Sequence, residues 1–71
     1  MTAKEKVIAV LKKSPKGLCD TCLEKPTGLL RHQHVNNTCL KLQNEGLLVR
    51  DESKTIECPG CLRFNIINRL A

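Results

Sequence analysis

The chain has 71 residues, one phenylalanine, no tryptophan or tyrosine, and a formal charge of +5 from 12 basic and 7 acidic side chains. That length allows a single domain, residues 1–71, with an aliphatic core near the lower limit of independent stability, where a staple is commonly needed. No apolar run approaches the roughly 18–20 residues that cross a bilayer, so no membrane partner is expected.

The charge is modest but unevenly spread. Residues 1–16 hold five lysines against Glu5 alone, and Gly28–Asn44 holds Arg31 and Lys41 with no acid. Asp51, Glu52 and Glu57 collect further on. One face is therefore expected to attract phosphate while another does not.

Thr2-Ala-Lys-Glu5 reads as a capping box, and Val7, Ile8, Val10 and Leu11 follow at helical spacing. A first helix is expected over Ala3–Lys13, stopped by Pro15 and Gly17. A short second helix is expected over Asp20–Lys25, entered through Leu18 and ended by Pro26 and Gly28. The third helix runs from about Arg31 to Asn44, because Val35, Cys39 and Leu42 form one buried stripe and Gly46 ends it. Leu47–Arg50 reads as a strand, Asp51–Lys54 as a turn and Thr55–Glu57 as a returning strand. In the tail, Leu62, Ile66 and Leu70 fall on one helical stripe, and a short C-terminal helix is expected there. A strand over Leu62–Ile66 is the alternative.

Cys19-Asp-Thr-Cys22 and Cys58-Pro-Gly-Cys61 supply four thiols in two Cys-x-x-Cys turns, enough for a full tetrahedral shell around Zn2+. The 35 residues between the pairs are too many for a simple ribbon, so a folded body must bring them together. An iron–sulfur cluster or a redox pair is the alternative, although the βαβ setting of a thioredoxin-like motif is absent. Cys39 lies on the apolar stripe of helix 3 and reads as a small core hydrophobe. The odd cysteine count, with no apolar leader at the N-terminus, points to reduced thiols and a cytoplasmic location. A four-cysteine shell leaves no open metal position, and there is no phosphate loop or paired base. No catalytic role and no small-molecule substrate are expected.

The order helix, helix, turn, helix, hairpin resembles the winged helix-turn-helix DNA-binding superfamily over residues 3–57. Val35, Cys39, Leu42, Gly46, Leu47 and Val49 match its recognition helix and first wing strand in order. The chain departs from the pattern at Leu30, where a Ser or Thr cap is usual, in a one-residue-longer approach from Gly28 to Val35, and at Asp20, which takes an apolar position of helix 2. The resemblance implies a mostly α fold of three helices plus a two-stranded wing, here with a zinc knuckle. It also implies double-stranded DNA as partner and transcription regulation as the role. A protein-docking adaptor and a metal- or redox-responsive regulator are the alternatives.

With Val35, Cys39 and Leu42 inward, Arg31, His32, Gln33, Asn36 and Asn37 are expected to face DNA, with His34 on a flank. Arg pairs with guanine, and Asn or Gln with adenine, in the major groove. Lys41, with Lys12, Lys13 and Lys16, and Arg50 and Lys54 in the wing, are the expected phosphate contacts. One small module makes few contacts, so a homodimer through Phe64, Ile66, Ile67 and Leu70 is expected, packing of that tail on helix 1 being the alternative.

Overall fold

A computed structural model describes residues 2–71. The elements run α1 (Ala3–Lys12), β1 (Leu18–Cys19), α2 (Asp20–Thr27), α3 (His32–Asn44), β2 (Leu48–Asp51) and β3 (Ile67–Leu70). The three strands form one antiparallel sheet in the order β1-β3-β2. The fold is thus a small mixed α/β arrangement of three helices on a three-stranded sheet.

The capping box is present. Thr2 Oγ1 accepts the Glu5 N–H at 3.2 Å, and Glu5 Oε1 accepts the Thr2 N–H at 3.2 Å, so two orphan donors of α1 are satisfied. After α1, Gly17 takes φ +89°. A Cβ there would stand 2.6 Å from the Asn68 carbonyl oxygen, so only glycine lets β1 lie this close to β3.

Helix α2 runs two residues past the expected Lys25 and carries Pro26 in its last turn. Pro26 has no N–H to give, and the chain compensates at the next residue. The Thr27 hydroxyl donates to the Leu23 carbonyl, and Gly28 ends the helix in the left-handed region at φ +74°. Helix α3 ends in a full Schellman motif. Gly46 N–H donates to Gln43 O and Leu47 N–H to Leu42 O, both at 3.0 Å, with Gly46 at φ +77°. That closure turns the chain directly into β2.

The main core gathers Val7 and Leu11 of α1, Leu23 of α2, Leu29, Val35, Cys39 and Leu42 of α3, and Leu48 of β2. Burying each such side chain contributes about 1.5–3 kcal/mol. The stripe expected on α3 is fully inward. A second, smaller cluster of Cys19, Cys58 and Ile67 lies at one end of the sheet.

Three expectations are corrected. The tail is not a helix: Ile67–Leu70 is β3, the central strand, pairing with both β1 and β2. The wing is not a two-stranded hairpin, because β1 joins the sheet. Nor do Thr55–Glu57 return as a strand beside β2. Only Glu57 pairs, in an isolated bridge with Phe64 across the Cys58–Cys61 turn, and the true return is the later β3. β-Branched Ile67 favours the strand, and Asn68, a residue that strands otherwise disfavour, is held there by buried bonds to Asp20 and Arg50 and by a bond to Leu18 O. Ile67 is buried in its own chain, and Leu70, partly buried, packs against the main core. Among the described residues no helix is long and apolar enough to cross a membrane.

Candidate metal centre and the α3 face

Cys19 is the residue before α2, at φ −74° and ψ 166°, so its side chain projects where the strand ends and the helix begins. Cys22 follows one turn later. Cys58 and Cys61 come from a tight turn in the β2–β3 connection. Cys58 N–H donates to Arg63 O and Leu62 N–H to Cys58 O, both at 2.8 Å, closing the loop on itself. This brings all four sulfurs within 4.8 Å of one another.

Two contacts across the pairs are closer: Cys19 Sγ to Cys61 Sγ at 3.7 Å and Cys22 Sγ to Cys58 Sγ at 3.6 Å. A disulfide needs about 2.05 Å, so these are separate thiols. A tetrahedron with metal–sulfur bonds of 2.3 Å has edges of about 3.8 Å. The spacing therefore fits four ligands around one ion, and the cluster can hold a metal.

The backbone is arranged to support negative sulfur. Cys19 N–H donates to Cys58 Sγ at 3.4 Å. Burial pushes the Cys58 thiol up, but backbone N–H groups of Cys19, Cys61 and Gly60 outweigh it and bring its pKa to about 6. Cys19 and Cys22 are raised, chiefly by burial, with neighbouring sulfurs adding to the rise at Cys22. Four crowded thiols cannot all ionise alone; a divalent cation reverses that by stabilising every thiolate together.

Gly60 has a steric role rather than a conformational one. A Cβ at Gly60 would stand 2.8 Å from Cys22 Sγ and 3.2 Å from Leu18 Cδ2. The positive φ in this turn falls on Leu62, at +59°, a region that favours glycine.

Behind Cys19 lies a buried polar cluster centred on Asp20, Arg50 and Asn68. Asp20 occupies the apolar position of α2 and is 6% exposed. Its carboxylate accepts from Arg50 Nη1 at 3.1 Å and Nη2 at 3.4 Å, from Asn68 Nδ2 at 2.7 Å and from Asn36 Nδ2 at 3.3 Å. Arg50 Nη1 also donates to Asn68 Oδ1 at 2.9 Å, and Asn68 Nδ2 to Leu18 O at 3.1 Å. These bonds tie α2, α3 and all three strands together. Arg50 Nε has no hydrogen-bond partner among the described residues. The usable signal was strand alternation: if Leu48 points inward, so does Arg50.

No family model, curated protein or solved structure matches this chain.

The residues expected to face DNA divide accordingly. Arg31, Gln33, Asn37 and Lys41 are exposed on the outer side of α3, and His34 joins them on shallow grooves lined with Arg31, Gln33, Asn37 and Lys41. His32 is exposed, with Nδ1 3.4 Å from a Glu24 carboxylate oxygen. Lys54 is exposed on the β2–β3 connection and borders a cleft of about 160 Å³ with His32, Thr21 and Asn65. Asn36 is half-buried and engaged with Asp20. Arg50, expected as a phosphate contact, is instead 7% exposed and committed to Asp20 and Asn68. Lys12, Lys13 and Lys16 are exposed beyond and at the end of α1.

Proposed function

We propose that this chain is a small winged-helix protein that binds double-stranded DNA through α3 and acts in transcription regulation, with Zn2+ as a structural clamp. The element order supports the winged-helix reading, with α3 as recognition helix, the β2–β3 connection as wing and β1 as an added third strand. A shell of four thiolates with no oxygen or nitrogen donor suits zinc. Four thiolates and one Zn2+ take the formal charge from +5 to +3 (5 − 4 + 2), still basic.

The observation that carries the DNA reading is the outer face of α3. Arg31, Gln33, His34, Asn37 and Lys41 form an exposed surface on a helix without acidic residues, while the opposite face is the core. These side chains offer base-edge donors and acceptors at the N-terminal half and a phosphate contact further along.

The test is fluorescence anisotropy of the metal-loaded protein on a random-sequence duplex pool at increasing salt. Binding should fall with a log–log slope of about −0.9 per phosphate neutralised. Arg31→Ala and Asn37→Ala should weaken binding without lowering thermal stability. A folded, metal-loaded protein that binds no duplex at low salt would refute the DNA reading.

A second reading, a protein-docking adaptor, is favoured by one observation. Ile56, Leu62 and Phe64 are 40%, 68% and 60% exposed around the knuckle. Three large apolar side chains exposed within nine residues of sequence offer a contact for a protein partner. Unchanged duplex binding after Phe64→Ser would leave that surface free for a protein partner.

A further inference from the structure

The four cysteines differ in access. Cys19 and Cys58 are 2% and 0% exposed, whereas Cys22 and Cys61 are only half-buried. Each half-buried sulfur has a buried one beside it from the other pair: Cys61 beside Cys19 at 3.7 Å, and Cys22 beside Cys58 at 3.6 Å. Oxidants reach accessible thiolates first, and a sulfenic acid condenses with a thiol held next to it. The geometry therefore supplies two matched couples, each with one reachable sulfur and one sheltered resolving sulfur.

We propose that this centre is also a hydroperoxide-reactive redox site, oxidised to Cys19–Cys61 and Cys22–Cys58 disulfides with release of the metal. The inference rests on the metal-clamp reading and deepens it. In the first step the Cys22 or Cys61 thiolate attacks the peroxide O–O bond, giving a sulfenic acid and hydroxide. In the second, the neighbouring Cys58 or Cys19 thiolate attacks that sulfur, forming the disulfide and expelling a second hydroxide. Each couple loses two electrons to one peroxide, so two peroxides consume all four thiolates, and the divalent ion leaves unchanged in charge.

The linkage matters as much as the oxidation. Both disulfides join the start of α2 to the knuckle, the same two places that the metal joins. They replace a metal clamp by a covalent one, so oxidation releases the metal while the fold persists. Bonds within each Cys-x-x-Cys would instead leave the two segments unconnected.

The test uses the full chain loaded with zinc, its metal content measured first. It is treated with hydrogen peroxide, and released zinc is read with a chromogenic chelator. Full release at two peroxides per zinc is expected, with an intact mass lower by four hydrogens after the metal is lost. Trypsin cuts after Lys16, Arg31, Lys54 and Arg63 and spares the Lys25–Pro26 bond. Cys19 and Cys22 therefore leave on peptide 17–31, and Cys58 and Cys61 on peptide 55–63. The expected product is one disulfide-joined pair of these peptides whose fragment spectra place Cys19 with Cys61 and Cys22 with Cys58. Its helical circular dichroism should survive a chelator that abolishes the signal of the reduced protein. Two separate peptides, each closed internally, overturn the proposal. So do the other cross-pairing, sulfinic or sulfonic acids without disulfide, retention of zinc with reduced thiols, and an oxidised chain that unfolds. A protein that carries no metal before oxidation refutes the metal reading instead, and the peptide map still decides the disulfides.

Discussion

Arg50→Met distinguishes a buried partner of Asp20 from a surface phosphate contact. The guanidinium side chain is 2% exposed and the Asp20 side chain 7%. Methionine fills much of the volume but removes both bonds to the carboxylate and the one to Asn68 Oδ1. Asp20 would then keep only Asn68 Nδ2 and Asn36 Nδ2. Leaving a buried charge without its counter-ion costs about 3–5 kcal/mol. A chain this small has a total stability of roughly 4–11 kcal/mol at the usual value per residue. With a urea slope of about 1–1.5 kcal/mol per molar, the midpoint of the metal-loaded protein should fall by ~2–5 M. Replacing Asp20 and Arg50 together by leucines should recover much of that loss, because no uncompensated charge remains. An exposed phosphate contact behaves differently: its loss changes stability by less than about 0.5 kcal/mol and lowers the salt slope of DNA binding by about 1. An unchanged urea midpoint for Arg50→Met would refute the buried cluster and return Arg50 to the surface.

Three further outcomes follow from the knuckle and its ligands. Leu62→Gly should raise the thermal midpoint, with a gain of up to ~1 kcal/mol, since Leu62 holds φ +59° and is 68% exposed, so little packing is lost. Gly60→Ala should weaken zinc affinity by about 10–100-fold in a competition titration, because its Cβ would stand 2.8 Å from Cys22 Sγ and push the turn off the ion; equal affinity would show that the turn does not seat on Cys22. Chelation should unfold the reduced protein, and acid should do the same by releasing metal. Burial holds Cys19 and Cys22 above the ordinary thiol pKa, so binding expels their protons, and lower pH favours the protonated, metal-free state. Zinc affinity measured from about neutral pH to about pH 5 should fall steeply, and a flat profile would contradict thiolate ligation.

Local pattern reached much of this molecule. The capping box at Thr2, the stripe of Val35, Cys39 and Leu42, the stop at Gly46 and the partnership of the two Cys-x-x-Cys turns were all legible, because each rests on neighbours in sequence or on a motif with its own chemistry. What escaped depends on distant partners. β1 is two residues long and exists only because β3 lies beside it. β3 lacks alternation, since Ile67 and Asn68 are both buried in a central strand, and its spacing mimics a helix. Asp20 reads as a defect until Arg50 and Asn68 arrive from the sheet to satisfy it. The C-terminal apolar run split the same way: Ile67 and Leu70 entered the chain's own core, and Phe64 stayed outside at 60% exposure.

X-ray absorption at the zinc edge, on protein whose native mass shows one ion per chain, tests the metal centre most directly. Four sulfur neighbours at about 2.3 Å and no lighter atom in the first shell are predicted. Two or fewer sulfurs, or a shell completed by nitrogen or oxygen, would contradict a centre built from Cys19, Cys22, Cys58 and Cys61.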